Sequence, residues 1–244
     1  VSGPRGPMPR TDDEKKEEKE VKKDKDDPKK AETGLLKRKT AAGDHRYWIY
    51  VPENYNPNIA HALVIWLHPA YKNKDRDIDD LLWAWQPPCE DQHIILVGPT
   101  TDNERGWTGG DAEQVIEAVK AVTDVYTIDR RRIVAHGMGI GGEMAFYLGF
   151  NSRQLIRGVA VTGAGLTSNP KEKVTALPLA FFLTVGGKDP LKDAVAESKK
   201  KLNEFKYNVI LREIAKMGHE YIDGKVAQPT FDELVRWIDS LDRI

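Results

Sequence analysis

Apolar positions fall into short runs that alternate with amphipathic stretches from about Asp44 onward. Arg46 to Val51 (RYWIYV) and Ala62 to Leu67 (ALVIWL) read as strands, joined by the turn-rich stretch PENYNPN. The second is apolar throughout, as a strand buried on both faces would be. A helix is expected around Asp77 to Trp85, then a strand at Ile94 to Val97 ended by Gly98-Pro99. Ala112, Val115, Ile116, Val119 and Val122 recur at three- and four-residue spacing, which predicts an amphipathic helix capped by Asp111. A short strand at Arg132 to Ala135 runs into HGMGIGG and a helix from about Glu143 to Leu148. Further strands are expected at Gly158 to Thr162, Leu179 to Val185 and Asn208 to Ile214. The last helix carries Phe231, Leu234, Ile238 and Leu241 as its buried stripe, with Thr230 and Glu233 as a capping box. Strands alternating with helices predict an α/β fold, a mainly parallel sheet with helices on both faces and ligand sites at the carboxyl ends of its strands.

Charge changes this picture only at one end. Residues 11–30 hold nine acids and eight bases, 17 of the 75 charged side chains, which leaves 58 in the other 224 residues, about a quarter and typical of a globular domain. Residues 1–33 offer almost nothing to bury, so they are expected to form a flexible charged tether, with one domain over 34–244. A mixed-charge tether suggests a covalently attached upstream domain. The same balance of charge, with no interleaved aromatic residues, argues against nucleic acid as a partner. No apolar run approaches the length of a membrane span. The single cysteine, Cys89, excludes an internal disulfide and any CxxC metal or redox pair. No metal site is expected.

The segment RRIVAHGMGIGGEMAFYLGF is a strand, a sharp glycine turn and a helix, a geometry that two chemistries use. Gly137, Gly139 and Gly142 match G-x-G-x-x-G, the dinucleotide-binding pattern. That pattern wants an acid at the end of the next strand to hold a ribose, and GVAVTGAGL carries none, so no nucleotide cofactor is expected. The other reading is the nucleophile elbow G-x-S-x-G, here Gly137-Met138-Gly139-Ile140-Gly141 with glycine at the centre. Taken alone, such a turn is most often just a tight connection. Two further residues join it. Asp189 follows the apolar strand PLAFFLTV, and His219 sits in MGHE just before the last helix, in the order elbow, acid, histidine. Each has a plain alternative, Asp189 as a helix cap and His219 as a surface residue.

With these residues in place, the stretch from about Asp44 to the carboxyl terminus resembles the α/β-hydrolase superfamily. It looks most like compact esterases of the polyhydroxybutyrate-depolymerase, feruloyl-esterase and dienelactone-hydrolase type, through RYWIYVPENY, ALVIWLHP, RRIVAHGMGIGGEMAFYL, TVGGKDPL and MGHEYI. The resemblance implies Gly139 at the nucleophile position, Asp189 as the acid and His219 as the base. It implies the Ile140 N–H as one oxyanion donor and a second from the loop His68-Pro69-Ala70-Tyr71, where Ala70 is expected because proline has no N–H. Tyr71, Trp107 and Met138 are expected to line the pocket, and Trp83 and Trp85 to fill the layer between helix and sheet.

Glycine at the elbow removes the only group able to become an acyl-enzyme. The expected role is therefore a binding or scaffolding domain of esterase ancestry, for a small-molecule or acyl/ester-type ligand. The altered oxyanion loop favours natural loss over a deliberate replacement of serine. The alternatives are an active ester or peptide hydrolase that uses an Asp-His-held water or a displaced nucleophile, with Cys89 and Ser168 as candidates, and a dinucleotide-binding protein.

Overall fold

The computed structural model describes residue 3 and residues 31–243. Most of the expected tether therefore lies outside the described residues. Eight strands form one sheet: β1 (Gly34–Lys39), β2 (Arg46–Val51), β3 (His61–Leu67), β4 (Ile94–Thr100), β5 (Ile128–Met138), β6 (Gly158–Thr162), β7 (Ala180–Gly186) and β8 (Asn208–Ile214). Their order is β1-β2-β4-β3-β5-β6-β7-β8. β2 runs antiparallel to both neighbours, and every pairing from β4 to β8 is parallel. Among the described residues, four α-helices lie between strands, α1 (Asp75–Gln92), α2 (Ala112–Thr123), α3 (Ile140–Asn151) and α4 (Lys192–Glu204), and a fifth, α5 (Gln228–Ser240), follows β8.

The alternation of side chains along each strand sorts the helices onto two faces. Val64, Trp66, His136 and Phe182 point to the face covered by α1 and α5, where Trp85 meets Phe231 edge-on and Phe182 meets Trp237. Phe181 points the other way and packs on Phe146 and Phe150 of α3. The sheet is thus buried on both sides, and β3 is buried at every position, as its unbroken apolar run requires.

Several elements differ from the sequence expectation for identifiable reasons. β1 has no counterpart in the expected strands because it is an edge strand: it pairs only with β2 and ends in Lys37, Arg38 and Lys39, which protect an exposed edge. α1 continues past Trp85 through Pro87 and Pro88. The prolines remove the donors to the Trp83 and Ala84 carbonyls, on a side of the helix where Trp83 is 77% exposed. Trp83 therefore does not fill the helix–sheet layer, whereas Trp85 does. β4 runs through Gly98 and Pro99 because β3 pairs with it only as far as Val97, so Pro99 leaves no ladder bond unmade on that side. Gly98 is required there, since a Cβ would overlap the Trp48 indole opposite. The Thr230/Glu233 capping box does not form. α5 begins at Gln228, which places Thr230 inside its first turn, and Glu233 instead accepts from Arg212 Nε on β8 at 2.7 Å.

Candidate active site

β5 runs straight into α3, with Gly139 as the one residue between them, at φ 55° and ψ −125°. Side chains rarely adopt this conformation, so a turn of this kind stores strain unless glycine occupies it. It is pinned by the Gly139 N–H donating to the Thr162 carbonyl at 3.1 Å and by the Glu143 N–H donating to the Gly139 carbonyl at 3.0 Å. The flanking glycines have a different cause. A Cβ on Gly137 would lie 2.7 Å from the Leu67 carbonyl oxygen, and one on Gly141 would overlap that oxygen, so both let the turn press against the end of β3. Gly139 is not crowded in this way. A Cβ built there meets a single neighbouring atom within 4 Å, the Nε2 of His219 at 3.6 Å.

His219 lies on the loop between β8 and α5, and its Nδ1–H donates to Asp189 Oδ2 at 2.9 Å. With Nδ1 committed to the carboxylate, Nε2 is the acceptor nitrogen, and it faces the elbow. The Asp189 side chain is 1% exposed, and its other oxygen accepts the Leu191 N–H at 2.8 Å. Asp189 thus both begins the turn into α4 and orients the imidazole. The two loops are tied by their backbones: the Lys188 N–H donates to the Met217 carbonyl and the Gly187 N–H to the Ile214 carbonyl, each at 2.9 Å.

A third glycine makes room for this pair. Gly163, just after β6, has φ 57°, and a Cβ there would lie 2.9 Å from Asp189 Oδ2 and 3.0 Å from His219 Nδ1 and Cε1. Gly163→Ala is expected to cost about 1–3 kcal/mol in urea unfolding, from backbone strain and overpacking. A crystal structure of the variant should show the Asp189–His219 hydrogen bond broken; an unchanged 2.9 Å contact would refute this.

On the opposite side of the elbow, Ile140 is the first residue of α3, where no intrahelical carbonyl is available to its N–H and the helix dipole favours negative charge. In the loop after β3, Pro69 has no N–H and the Tyr71 N–H is taken by the Glu104 carbonyl at 2.7 Å. The Ala70 N–H has no backbone acceptor among the described residues. Ala70 and Ile140 line the same cleft, of about 620 Å³, together with Trp66, Met138, Gly139, His219 and Tyr221. Its rim carries Asp80, Glu220 and Asp223. Burial, with Asp80 and Glu220 adding to it, raises the Asp223 carboxyl above the usual range.

Met138 is in the cleft, but Tyr71 and Trp107 do not line it. Tyr71 is 64% exposed with φ 62°, on the outer side of its loop. Trp107 is buried beneath the loop, its ring tilted against the His68 ring at 4.9 Å between centroids, with its Nε1–H donating to the His68 carbonyl at 3.0 Å. It braces the loop after β3 from behind, a role its glycine-flanked position does not reveal. Cys89 is not a displaced nucleophile. It lies inside α1 in the core, where burial pushes its thiol far up, away from the reactive thiolate. Ser168 sits on an exposed bend after β6. β6, the strand after the glycine turn, ends at Thr162, whose hydroxyl pairs with the Thr184 hydroxyl at 2.8 Å.

An eight-stranded sheet ordered in this way, with a glycine elbow after β5, an acid after β7 and a histidine after β8, is a recognisable combination. The fold is that of the α/β-hydrolases. Solved α/β-hydrolase structures align closely: a thermostable esterase at TM-score 0.65 and 18% identity, covering 84% of this chain and 62% of its own, and a ferulic acid esterase at TM-score 0.60 and 15% identity, covering 88% and 98%. By sequence, the chain is 30% identical over 154 residues to a probable feruloyl esterase C of Aspergillus flavus, across 61% of this chain and 56% of the relative. It is 29% identical over 135 residues to feruloyl esterase D of Neurospora crassa, across 50% and 46%. The chain spans about half the length of these curated relatives. No family model matches it. The chain thus has an α/β-hydrolase fold and is similar to esterases, and among its described residues no helix is long and apolar enough to cross a membrane.

Proposed function

We propose that this α/β-hydrolase domain has lost serine-nucleophile catalysis and now serves as a binding or scaffolding module for an ester or acyl ligand. The observation that carries the reading is Gly139. It occupies the elbow with its open direction aimed at His219 Nε2, 3.6 Å from where a Cβ would stand, and it has no hydroxyl to offer. Asp189 would orient His219, and the Ile140 and Ala70 N–H groups would hold a ligand carbonyl. The charged segment before the domain would tether it to an upstream partner.

A second reading has its own support, because the Asp189–His219 pair is intact and Nε2 faces the cleft. Such a pair can polarise a water in place of serine. Serine hydrolases without their nucleophile retain ~10³ to 10⁴ over the uncatalysed rate, so this route gives slow turnover at best.

One experiment separates the first reading from an active enzyme. The protein is expected to form no covalent adduct with a fluorophosphonate probe and to turn over p-nitrophenyl acetate near the background rate. Methyl ferulate should shift the amide signals of Gly139, Ile140 and His219 in ¹⁵N-labelled protein. Rapid ester cleavage with a stoichiometric adduct would reveal a nucleophile elsewhere in the cleft and end the proposal.

A further inference from the structure

Two residues beyond His219, Tyr221 lines the cleft with one side of its ring and buries its hydroxyl. That hydroxyl is 2.7 Å from His136 Nε2 and 2.7 Å from Trp85 Nε1. Every proton in this cluster has a forced position. His136 Nδ1 is 3.0 Å from the Ala160 carbonyl oxygen, which only accepts, so Nδ1 carries the proton and Nε2 is bare. The Tyr221 O–H must then donate to Nε2, and the indole N–H of Trp85, which only donates, must donate to the Tyr221 oxygen. The result is a single chain of donors running Trp85 to Tyr221 to His136 to Ala160. Burial keeps it fixed, holding the His136 imidazole neutral by lowering it to about 4 and pushing the Tyr221 phenol well above its ordinary range.

The chain joins three parts of the site. His136 stands on β5 three residues before Gly139, Trp85 belongs to α1, and Tyr221 belongs to the loop that carries His219. Among the described residues, His219 and Tyr221 are the only side chains of residues 215–227 that make a hydrogen bond. The loop is otherwise held by backbone hydrogen bonds, among them Lys188 N–H to the Met217 carbonyl, and by the buried side chains of Met217, Ile222 and Ala227. The Tyr221 ring also packs edge-on against Trp66 at 4.9 Å, at the base of the cleft. A residue so tied on one side of the loop sets where the other side, with His219, can lie.

We infer that Tyr221 is a positioning residue: its hydroxyl, clamped between His136 and Trp85, fixes the loop so that His219 meets Asp189 with Nδ1 and faces Gly139 with Nε2. The inference rests on the proposed role of the dyad, but its test does not depend on whether the protein turns over esters.

Long-range ¹H–¹⁵N spectra report which imidazole nitrogen carries the proton. In the unmodified protein His219 should be held as the Nδ1–H tautomer. Tyr221→Phe, which keeps the ring and removes only the hydroxyl, should shift the population towards the Nε2–H form that a free imidazole prefers. His136→Gln keeps an acceptor for the Tyr221 hydroxyl and should preserve the wild-type tautomer, whereas His136→Leu should reproduce the Tyr221→Phe spectrum. Placed in a Gly139→Ser background, Tyr221→Phe should lower kcat on the order of 10- to 100-fold with KM little changed, because a small misplacement of a reacting group is costly. If Tyr221→Phe folds and leaves the His219 tautomer unchanged, the inference is wrong. If Tyr221→Phe does not fold, the His136→Gln and His136→Leu pair decides, and equal tautomer populations in those two would equally overturn it.

Discussion

Gly139→Ser is expected to raise p-nitrophenyl acetate hydrolysis by about 10³-fold over the unmodified protein and to create a site that a fluorophosphonate labels. In a working serine hydrolase, loss of the nucleophile costs ~10⁶ in kcat, which sets the ceiling for a rescue. The geometry favours regaining much of it. The Cβ would stand 3.6 Å from His219 Nε2, so an Oγ one bond further on falls within hydrogen-bonding reach, and Asp189 already holds the imidazole by its other nitrogen. Two effects lower the ceiling. A non-glycine residue at φ 55° carries strain of ~1–3 kcal/mol. In the loop at Pro69, proline has no N–H and the Tyr71 N–H is already taken, and an oxyanion donor out of place costs ~2.7–4 kcal/mol. The bonds already made at the elbow, Gly139 N–H to the Thr162 carbonyl and Glu143 N–H to the Gly139 carbonyl, show the backbone in the conformation serine would need. A variant that folds with the wild-type spectrum yet stays at background and unlabelled would place the lost function in His68 to Tyr71 rather than at Gly139.

The outline of this site was readable in the sequence because it depends on backbone geometry. Glycines at 137, 139 and 141 after an apolar strand, an acid after the next-but-one strand and a histidine before the last helix each sit where chain order and strand ends put them. The structure brings Gly139, Asp189 and His219 together through those strand ends. What stayed hidden depends on long-range packing. Trp107 carries the same loop signature whether it faces a cleft or lies beneath His68, and only the fold of residues 68–71 decides between them. Gly163 reads as one glycine in a glycine-rich loop until Asp189 and His219, distant in sequence, are seen against it. Tyr221 and His136 lie far apart in the chain, and nothing local marks either as polar at its buried end. β1 was obscured for another reason: an edge strand needs only backbone pairing, so Lys37, Arg38 and Lys39 extend the charged pattern that precedes it instead of interrupting it.

The same buried imidazoles should make the protein acid-sensitive well above the usual carboxylate range. His61, His68 and His136 are all buried, and burial lowers each below its ordinary value. Each has one ring nitrogen committed: Nδ1 of His61 to the Ile59 carbonyl at 2.8 Å, of His68 to the Pro69 carbonyl at 2.9 Å and of His136 to the Ala160 carbonyl at 3.0 Å. A second proton has nowhere to go. Nε2 of His61 and of His68 has no partner among the described residues, and Nε2 of His136 faces a hydroxyl that must itself donate. An unfolded chain takes up these protons near pH 6.5, while folded His136 resists until about 4, so between these values the unfolded state binds more protons and stability rises with pH. The stability from keeping His136 neutral is complete above pH 6.5, falls through this window and is lost below it, a change of about 3 kcal/mol for this residue alone. Urea unfolding at pH 7 and pH 4.5 measures it. The drop between the two should be smaller in His136→Gln than in the unmodified protein by about 2–3 kcal/mol, since the carboxylates and the other histidines are common to both and cancel in the difference. Equal drops in the two proteins would mean that His136 takes up its proton in the folded state near pH 6.5. The bond between Tyr221 and His136 would then reverse at ordinary pH, with the His136 Nε2–H donating to the phenol oxygen.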